Sequence, residues 1–136
     1  MRRVVAGLIC LAGCAPTLHR QAKPRVECYA AQTDILFGMP GVASELVLER
    51  TPVRRIGGGW RRALIIRRGE APDSAHARWR AVVPDSVLVS VVDPFVSLSL
   101  SLRRDAGTLV GGRRLLTDAQ REASSQVVLR SGCGDA

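Results

Sequence analysis

The sequence predicts an all-β domain whose architecture is a small antiparallel β-barrel of about eight strands, with a β-sandwich as the alternative. Three observations support this prediction: apolar residues alternate with polar ones along short segments, turn residues separate the segments, and two cysteines frame them. Alternation with a period of two is typical of strands that are buried on one face and solvated on the other.

The clearest strand is predicted at residues 96–102, where Val96 and three leucines share one face and three serines share the other. This pattern favours a half-buried antiparallel strand with the leucines inward. Further strands are predicted at residues 26–30, 45–49, 60–67, 76–83, 87–91, 108–110 (with Leu115 and Leu116 beyond them) and 126–130.

Two of these segments carry a specific prediction about which side chains face the core. In the third segment, Trp60, Leu64 and Ile66 are predicted to share a face, opposite Arg61 and Arg67. In the fourth segment, the predicted inward set alternates with His76 and two arginines; it consists of Ala77, Trp79, Ala81 and Val83.

Glycine, proline and aspartate punctuate the chain between the predicted strands, as expected for turns. Residues 117–120 break the alternation, because Thr117 and Gln120 have the spacing of a capping box. A helical turn over residues 118–123 and a long polar loop both fit this segment. The predicted turns are Gly57-Gly58-Gly59, residues 69–73, Pro84-Asp85, Asp93-Pro94 and residues 105–107.

The N-terminus ends an apolar run with Leu11-Ala12-Gly13-Cys14, and Arg2-Arg3 precede that run. This segment resembles the lipobox of bacterial lipoproteins, in which a signal peptidase cuts just before a lipid-modified cysteine. The resemblance implies that residues 1–13 are a signal peptide and that Cys14 is the lipid attachment site, with a diacylglyceryl group and a further acyl chain such as palmitate. The run is shorter than the roughly 20 residues that a transmembrane helix needs.

The resemblance divides the chain into a signal peptide at 1–13, a lipidated N-terminus and flexible tether at 14–25, and a single β domain at 26–136. It also implies a location in the bacterial cell envelope, with the membrane as a partner through Cys14. Ala15 follows the cysteine, where an aspartate often signals retention at the inner membrane. The periplasmic face of the outer membrane, or the cell surface, is therefore the expected site.

The four cysteines leave one pair that can form a disulfide. Cys10 is lost with the signal peptide and Cys14 takes lipid, so Cys28 and Cys133 remain, in an oxidising compartment. A bridge between them closes about 100 residues and contributes ~4–5 kcal/mol in the chain-entropy model. No metal site is predicted, because His19 and His76 do not supply paired ligand spacing.

The basic residues offer two interpretations. Nineteen of the twenty are arginine, and the formal charge of +8 falls by two, to +6, when Arg2 and Arg3 leave with the signal peptide. Pairs of arginines stand where strand ends are expected, which is typical of a solvated surface. The alternative is attraction to anionic lipid headgroups or to a polyanionic envelope polymer. Nucleic acid is not an expected partner, since the aromatic-rich motif of single-strand binders is missing.

Motifs for enzymatic chemistry are not found in the sequence. It lacks a G-x-S-x-G elbow, a phosphate-binding glycine loop and H-E-x-x-H. Asp85 and Asp93 read as turn residues. We therefore expect a non-catalytic envelope lipoprotein that needs no cofactor.

Two alternatives remain open for the function. One is a carrier barrel for a small apolar ligand. The other is a protein-binding or inhibitor module, since lipid-anchored barrels that inhibit lysozymes form a known family; lysozymes are basic, however, and would be repelled by a positively charged domain.

Overall fold

The fold is a closed antiparallel β-barrel of eight strands, as seen in a computed structural model that describes residues 26–53, 58–69 and 71–133. This confirms the predicted barrel over the sandwich. Each strand pairs with the next one in sequence, and the last strand pairs with the first. The strands are β1 (Glu27–Ala31), β2 (Ala43–Pro52), β3 (Arg61–Arg68), β4 (Asp73–Val83), β5 (Ser86–Val92), β6 (Val96–Asp105), β7 (Thr108–Thr117) and β8 (Glu122–Ser131).

The two ends of the barrel differ in what they contain. The chain enters β1 at Val26, and we call this the entry end; the β2–β3, β4–β5 and β6–β7 connections lie there too. The opposite end holds the other four connections, and we call it the capped end. In the described residues, no helix is long and apolar enough to cross a membrane. The predicted signal peptide, Cys14, His19 and the tether lie outside the described residues.

The strand at the centre of the prediction has the expected orientation. Leu98, Leu100 and Leu102 of β6 are buried in the core, whereas the intervening serines line the outer wall. The same alternation buries Leu46 and Leu48 of β2 and the three inward valines of β5. An apolar interior formed from all eight strands results, because every strand contributes at least one buried side chain.

The orientation predicted for β3 is wrong. Ala63 and Ile65 are buried, while Leu64 and Ile66 are only partly buried on the outer wall and Arg67 shares the inward face. Three consecutive apolar residues, Leu64 to Ile66, make either face acceptable by alternation alone. The orientation is decided at the C-terminal end of β3, where the inward-facing Arg67 binds the buried carboxylate of Asp34.

The prediction for β4 holds only in part. Trp79 is buried as expected, but Ala81 and Val83 are exposed. The pairing with β5 shifts between Ala81 and Val83, so Val82 is an extra residue on its strand. Such a bulge bends the strand and interrupts the alternation, which leaves both Val82 and Val83 exposed at the hairpin tip.

β7 is one continuous strand rather than two short segments, and it includes Gly111. A Cβ atom added there would overlap the backbone oxygen of Ser101 on β6. Only glycine allows this close approach of two strands. The following segment forms neither the helical turn nor the long loop; it is a tight connection closed by the amide of Gln120 donating to the Thr117 carbonyl at 2.9 Å.

The seam between β1 and β8 closes the barrel, and it is the shortest pairing in the sheet. Only Tyr29 with Ser131 and Ala30 with Arg130 are paired. The amide of Gly132 extends the seam by donating to the carbonyl of Cys28 at 2.8 Å. The predicted disulfide between Cys28 and Cys133 is present beside this seam, with a Cα–Cα distance of 5.5 Å and 105 residues between the cysteines. The covalent bond therefore reinforces the place where hydrogen bonding is weakest.

We predict that Gly111→Ala lowers the free energy of unfolding by about 1–3 kcal/mol, because the new methyl group forces β6 and β7 apart. Chemical denaturation monitored by circular dichroism measures the change. Gly112→Ala is the matched control, since a Cβ atom at Gly112 meets no atom within 4 Å. Equal stability of the two variants would contradict the close approach.

Candidate anion-binding face

The β1–β2 connection closes the capped end of the barrel, and Asp34 organises it. The Asp34 carboxylate accepts hydrogen bonds from the amides of Leu36, Phe37 and Met39 at 3.0–3.2 Å. Arg67 donates to both carboxylate oxygens from Nε and Nη2, at 3.0 and 2.9 Å. These five donors fold residues 34–39 into a compact cap over the barrel.

Burial alone raises the pKa of the Asp34 carboxyl, because the charged form is removed from water. The hydrogen bonds from Arg67 and from the amides of Phe37, Met39 and Leu36 outweigh this effect. The pKa of Asp34 therefore lies below its ordinary value. At neutral pH Asp34 is therefore ionised, and its charge holds the cap together.

A second buried charge, Arg113 of β7, holds the same cap from inside. Its guanidinium donates to the carbonyls of Ile35 and Leu36, the latter at 2.7 Å. Burial lowers the pKa of Arg113, and the negative charge of Asp34 opposes that change. These hydrogen bonds hold Ile35 and Leu36 in place, and both side chains are buried in the core.

The interior of the described barrel is filled by its own side chains. Ile35 and Leu36 close it at the capped end, and Trp79 lies towards the entry end with its indole Nε1 donating to the Glu49 carbonyl at 2.7 Å. Between them lie leucines and valines with almost no exposed surface. This packing favours a core over a pocket for a small apolar ligand, so binding chemistry is to be sought on the outer wall.

A polar cluster at the entry end is also internally satisfied. Arg104 donates to both Glu27 carboxylate oxygens and to the Tyr29 hydroxyl, and Tyr29 donates to Glu27 at 2.8 Å. Burial raises the pKa of Glu27, but the hydrogen bonds from Arg104 and Tyr29 bring it below its ordinary value. Burial and the Glu27 charge raise the pKa of Tyr29.

The disulfide has a carboxylate beside it, since a ligand atom of Glu45 lies within 4.8 Å of both cysteine sulfurs. Two cysteines and a glutamate at this spacing resemble a metal-ligand set. Both thiols are consumed by the disulfide, however, and Arg68 donates to the Glu45 carboxylate at 2.9 Å. These three side chains are therefore already engaged, the cysteines in the disulfide beside the seam and Glu45 in an ion pair with Arg68.

The outer wall of β3 and β4 carries a cluster of arginines around an indole ring. The guanidinium carbons of Arg78 and Arg80 lie 4.6 and 4.9 Å from the centre of the Trp60 ring, within cation–π range. Arg62 is directly opposite Arg78 in the strand pairing. We call Trp60, Arg62, Arg78 and Arg80 the arginine–tryptophan face.

Local sequence explains how Trp60 reaches this position. Gly58 and Gly59 both have positive φ values, 86° and 75°, which favour glycine because it lacks a Cβ atom. The turn is closed where the amide of Val53 donates to the Trp60 carbonyl at 2.9 Å. The predicted glycine turn is therefore confirmed for these two residues, and its consequence is to lay Trp60 against β4.

The arginine–tryptophan face borders a depression of about 690 Å³ on the outer wall. Its lining residues come from β2, β3, β4 and β5 and from Val53. His76 is exposed on the outer face of β4, as the sequence predicts, and it lines this depression. The residues around it include Glu49, Arg62, Leu64, His76, Arg78 and Ser90.

The electrostatics of this face differ from those of the other arginines. In the described part of the chain, no carboxylate lies within 4 Å of Arg62, Arg78 or Arg80, whereas Arg67 and Arg104 are paired. The Nε of Arg80 is buried and has no hydrogen-bond partner there. Like charges directly opposite each other on paired strands are unfavourable, so Arg62 and Arg78 favour an anion between them.

Asp85 and Asp93, the two aspartates predicted to be turn residues, lie in connections between strands. Asp93 is a turn residue as predicted, because its carboxylate accepts hydrogen bonds from the amides of Phe95 and Val96 at 2.7 Å. Asp85 lies at the β4–β5 tip and accepts from the Arg104 amide through its carbonyl at 2.7 Å. They lie at opposite ends of the barrel, so the structure does not bring them together.

The interpretation of the basic pairs as solvated surface is wrong for three of their members. Arg67, Arg104 and Arg113 face inward and bind Asp34, Glu27 and backbone carbonyls. Sequence reasoning also missed the cap around Asp34 and the contact of Trp60 with β4. The detectable signal was the alternation itself, which gives Arg104 the same parity as the buried leucines of β6.

No protein-family model, no curated protein and no solved structure matches this chain.

We predict that Asp34→Asn lowers the free energy of unfolding at neutral pH by about 2–3 kcal/mol, because the variant leaves Arg67 in the cap with only its exposed partner. The difference from the wild type is fully present above pH ~3.9, the unfolded-chain value. It shrinks as the pH falls through the lowered pKa of folded Asp34. Denaturant melts between pH 3 and pH 7 measure it.

Asp73→Asn is the matched control for this prediction. Asp73 binds the same Arg67 at 3.2 Å, but its side chain is 53% exposed while that of Asp34 is 0% exposed. An exposed pair contributes little, so the control should lose less than about 1 kcal/mol. Similar losses in the two variants would argue against Asp34 as the anion that holds the cap.

Proposed function

We propose that this chain is a membrane-anchored, non-catalytic lipoprotein of the bacterial cell envelope that binds phosphate-bearing anions through the arginine–tryptophan face. The single observation that carries the binding part is that the guanidinium groups around Trp60 have no carboxylate within 4 Å among the residues that the structure describes. The anchor part rests on the lipobox that ends at Cys14.

Phosphate is the anion that suits this face best. A guanidinium presents several donors in a planar fork that matches phosphate oxygens, and charge-assisted hydrogen bonds of this kind are stronger than neutral ones. Arg62 and Arg78 are opposed on neighbouring strands and can approach one anion from two sides. Arg80, which lies against the same indole ring as Arg78, adds a third positive charge nearby.

Trp60 contributes by positioning the arginines. Each guanidinium that lies against the indole ring keeps its charge while part of its side chain is desolvated. This contact reduces the side-chain entropy that Arg78 and Arg80 lose when an anion binds. The site is therefore partly organised in advance, unlike an isolated surface arginine.

A non-catalytic role is supported by how the buried charges are used. Asp34 and Arg113 bind the backbone of the cap, while Arg67 and Glu27 have structural partners. The filled interior gives less support to the carrier alternative. A phosphate could belong to a lipid headgroup or to an envelope polymer, and the proposal so far includes both sources.

We predict that Cys14→Ser accumulates as an uncleaved precursor and incorporates no labelled palmitate, because the variant lacks the thiol that accepts lipid. Metabolic labelling followed by gel electrophoresis measures both effects in cells that express the full chain. Ala15→Ser is the control, since it leaves the cysteine intact. Normal labelling of the Cys14 variant would overturn the anchor.

We predict that Arg62→Gln with Arg78→Gln weakens binding of inorganic triphosphate at least about tenfold, since each charge-assisted hydrogen bond contributes about 1.5–3 kcal/mol. Detergent-extracted mature protein is titrated with triphosphate. The signal is the fluorescence of Trp60 in a Trp79→Phe background, where it is the one tryptophan of the chain.

Arg114→Gln with Arg121→Gln is the matched control. It also removes two positive charges, but from the capped half of the barrel, where Arg114 is already paired with Glu122 at 2.7 Å. We expect its triphosphate affinity to change less than threefold. If both double variants lose affinity equally, binding reflects net charge and the proposed site is wrong.

A further inference from the structure

An exposed apolar tip lies next to the arginine–tryptophan face. Val82 and Val83 are 55% and 54% exposed, at the end of the β4–β5 hairpin. The bulge in β4 causes this exposure, because regular alternation would turn one of the two side chains inward. Exposed apolar residues of this kind at a hairpin tip contribute nothing to the core.

Cations flank the tip on both sides. Arg80 is two residues before Val82 on β4, and its guanidinium lies against Trp60. Arg103 of β6 is paired with Ser86, the first residue of β5 after the tip. An indole, two apolar side chains and arginines at the entry end form the combination found at membrane interfaces, where aromatic and apolar groups enter the headgroup region and cations bind lipid phosphates.

The position of the tip relative to the predicted lipid anchor indicates that a membrane surface is what binds there. The chain enters β1 at Val26, and Val26 and the β4–β5 tip lie at the same end of the barrel. Cys14 is twelve residues before Val26 in sequence, a distance that chain geometry limits to about 40 Å. A lipid on Cys14 therefore keeps the entry end close to the bilayer, where a weak surface contact suffices.

From these observations we infer that the entry end docks on an anionic phospholipid surface, with Val82 and Val83 in the headgroup region and the arginine–tryptophan face on lipid phosphates. This inference rests on the proposed function and names the source of its phosphate. Docking fixes the orientation of the barrel on the membrane, and it turns the capped end towards the compartment beyond.

The test uses the full mature chain, reconstituted through its own lipid anchor into vesicles, in the Trp79→Phe background. Lipids brominated near the headgroup quench a tryptophan that contacts them. In vesicles with about one-third phosphatidylglycerol, we expect Trp60 to be quenched at least twofold. In vesicles of phosphatidylcholine alone, we expect the protein to remain anchored and Trp60 to stay unquenched, since each arginine near an anionic surface favours docking about fivefold.

Val82→Gln with Val83→Gln separates docking from anion binding. This variant should lose the quenching in anionic vesicles and keep its affinity for triphosphate, because it leaves the charge unchanged and the valines do not belong to the phosphate site. Phe95→Gln with Leu116→Gln is the matched control, with two exposed apolar residues replaced near the capped end. The control should be quenched like the parent protein.

The outcomes distinguish the two proposals. If Trp60 remains unquenched in anionic vesicles while triphosphate still binds, docking is overturned and the face is assigned to a phosphorylated polymer. Equal quenching in both vesicle types, or full quenching of the valine variant, also overturns docking by this tip. If triphosphate itself fails to bind the parent protein, the proposed function fails first.

Discussion

Closure of the sheet between β1 and β8 is the constraint on which the rest of the structure depends. An open sheet would leave two edges of unpaired backbone groups and would expose the interior. The seam has only two residue pairs, yet it is bordered by the disulfide between Cys28 and Cys133 and by the hydrogen bond from Gly132 to Cys28. A bond that joins the two ends of the folded region constrains the unfolded chain most, because it closes a long loop.

A closed barrel still needs its ends covered, and the capped end is covered by charge as much as by apolar side chains. Asp34 gathers three amides and Arg67, and Arg113 holds two carbonyls of the same segment. Buried charges are tolerated only when they are paired and hydrogen-bonded. Here each charge satisfies backbone groups of a loop that would otherwise lie buried without partners.

This internal use of charge separates the arginines into two classes. Arg67, Arg104 and Arg113 stabilise the barrel from within, and their partners leave them little capacity for a ligand. Arg62, Arg78 and Arg80 lie on the outer wall, against Trp60 and without carboxylates within 4 Å in the described part of the chain. Function is therefore inferred for a surface of the barrel, and the filled interior serves as the rigid support for it.

Local alternation was enough to predict the strands and the orientation of β6, because the side-chain period is a property of the chain itself. The cysteine count, together with the resemblance to a lipobox, predicted the disulfide partners, and that disulfide favoured a closed barrel. The orientation of β3 was not accessible in this way, since Leu64, Ile65 and Ile66 satisfy either face. Arg67 selects the face by reaching Asp34, 33 residues away in sequence.

The candidate site, too, could be predicted only in part from the sequence. Glycines before Trp60 indicated a turn, and clustered arginines indicated attraction to anions, but neither pattern joins Trp60 to Arg78 and Arg80. That contact arises only when β3 and β4 pair and the turn lays the indole over the neighbouring strand. Likewise, the bulge that exposes Val82 and Val83 depends on how β4 registers against β5. Long-range pairing decides such features, because it determines which side chains share a surface.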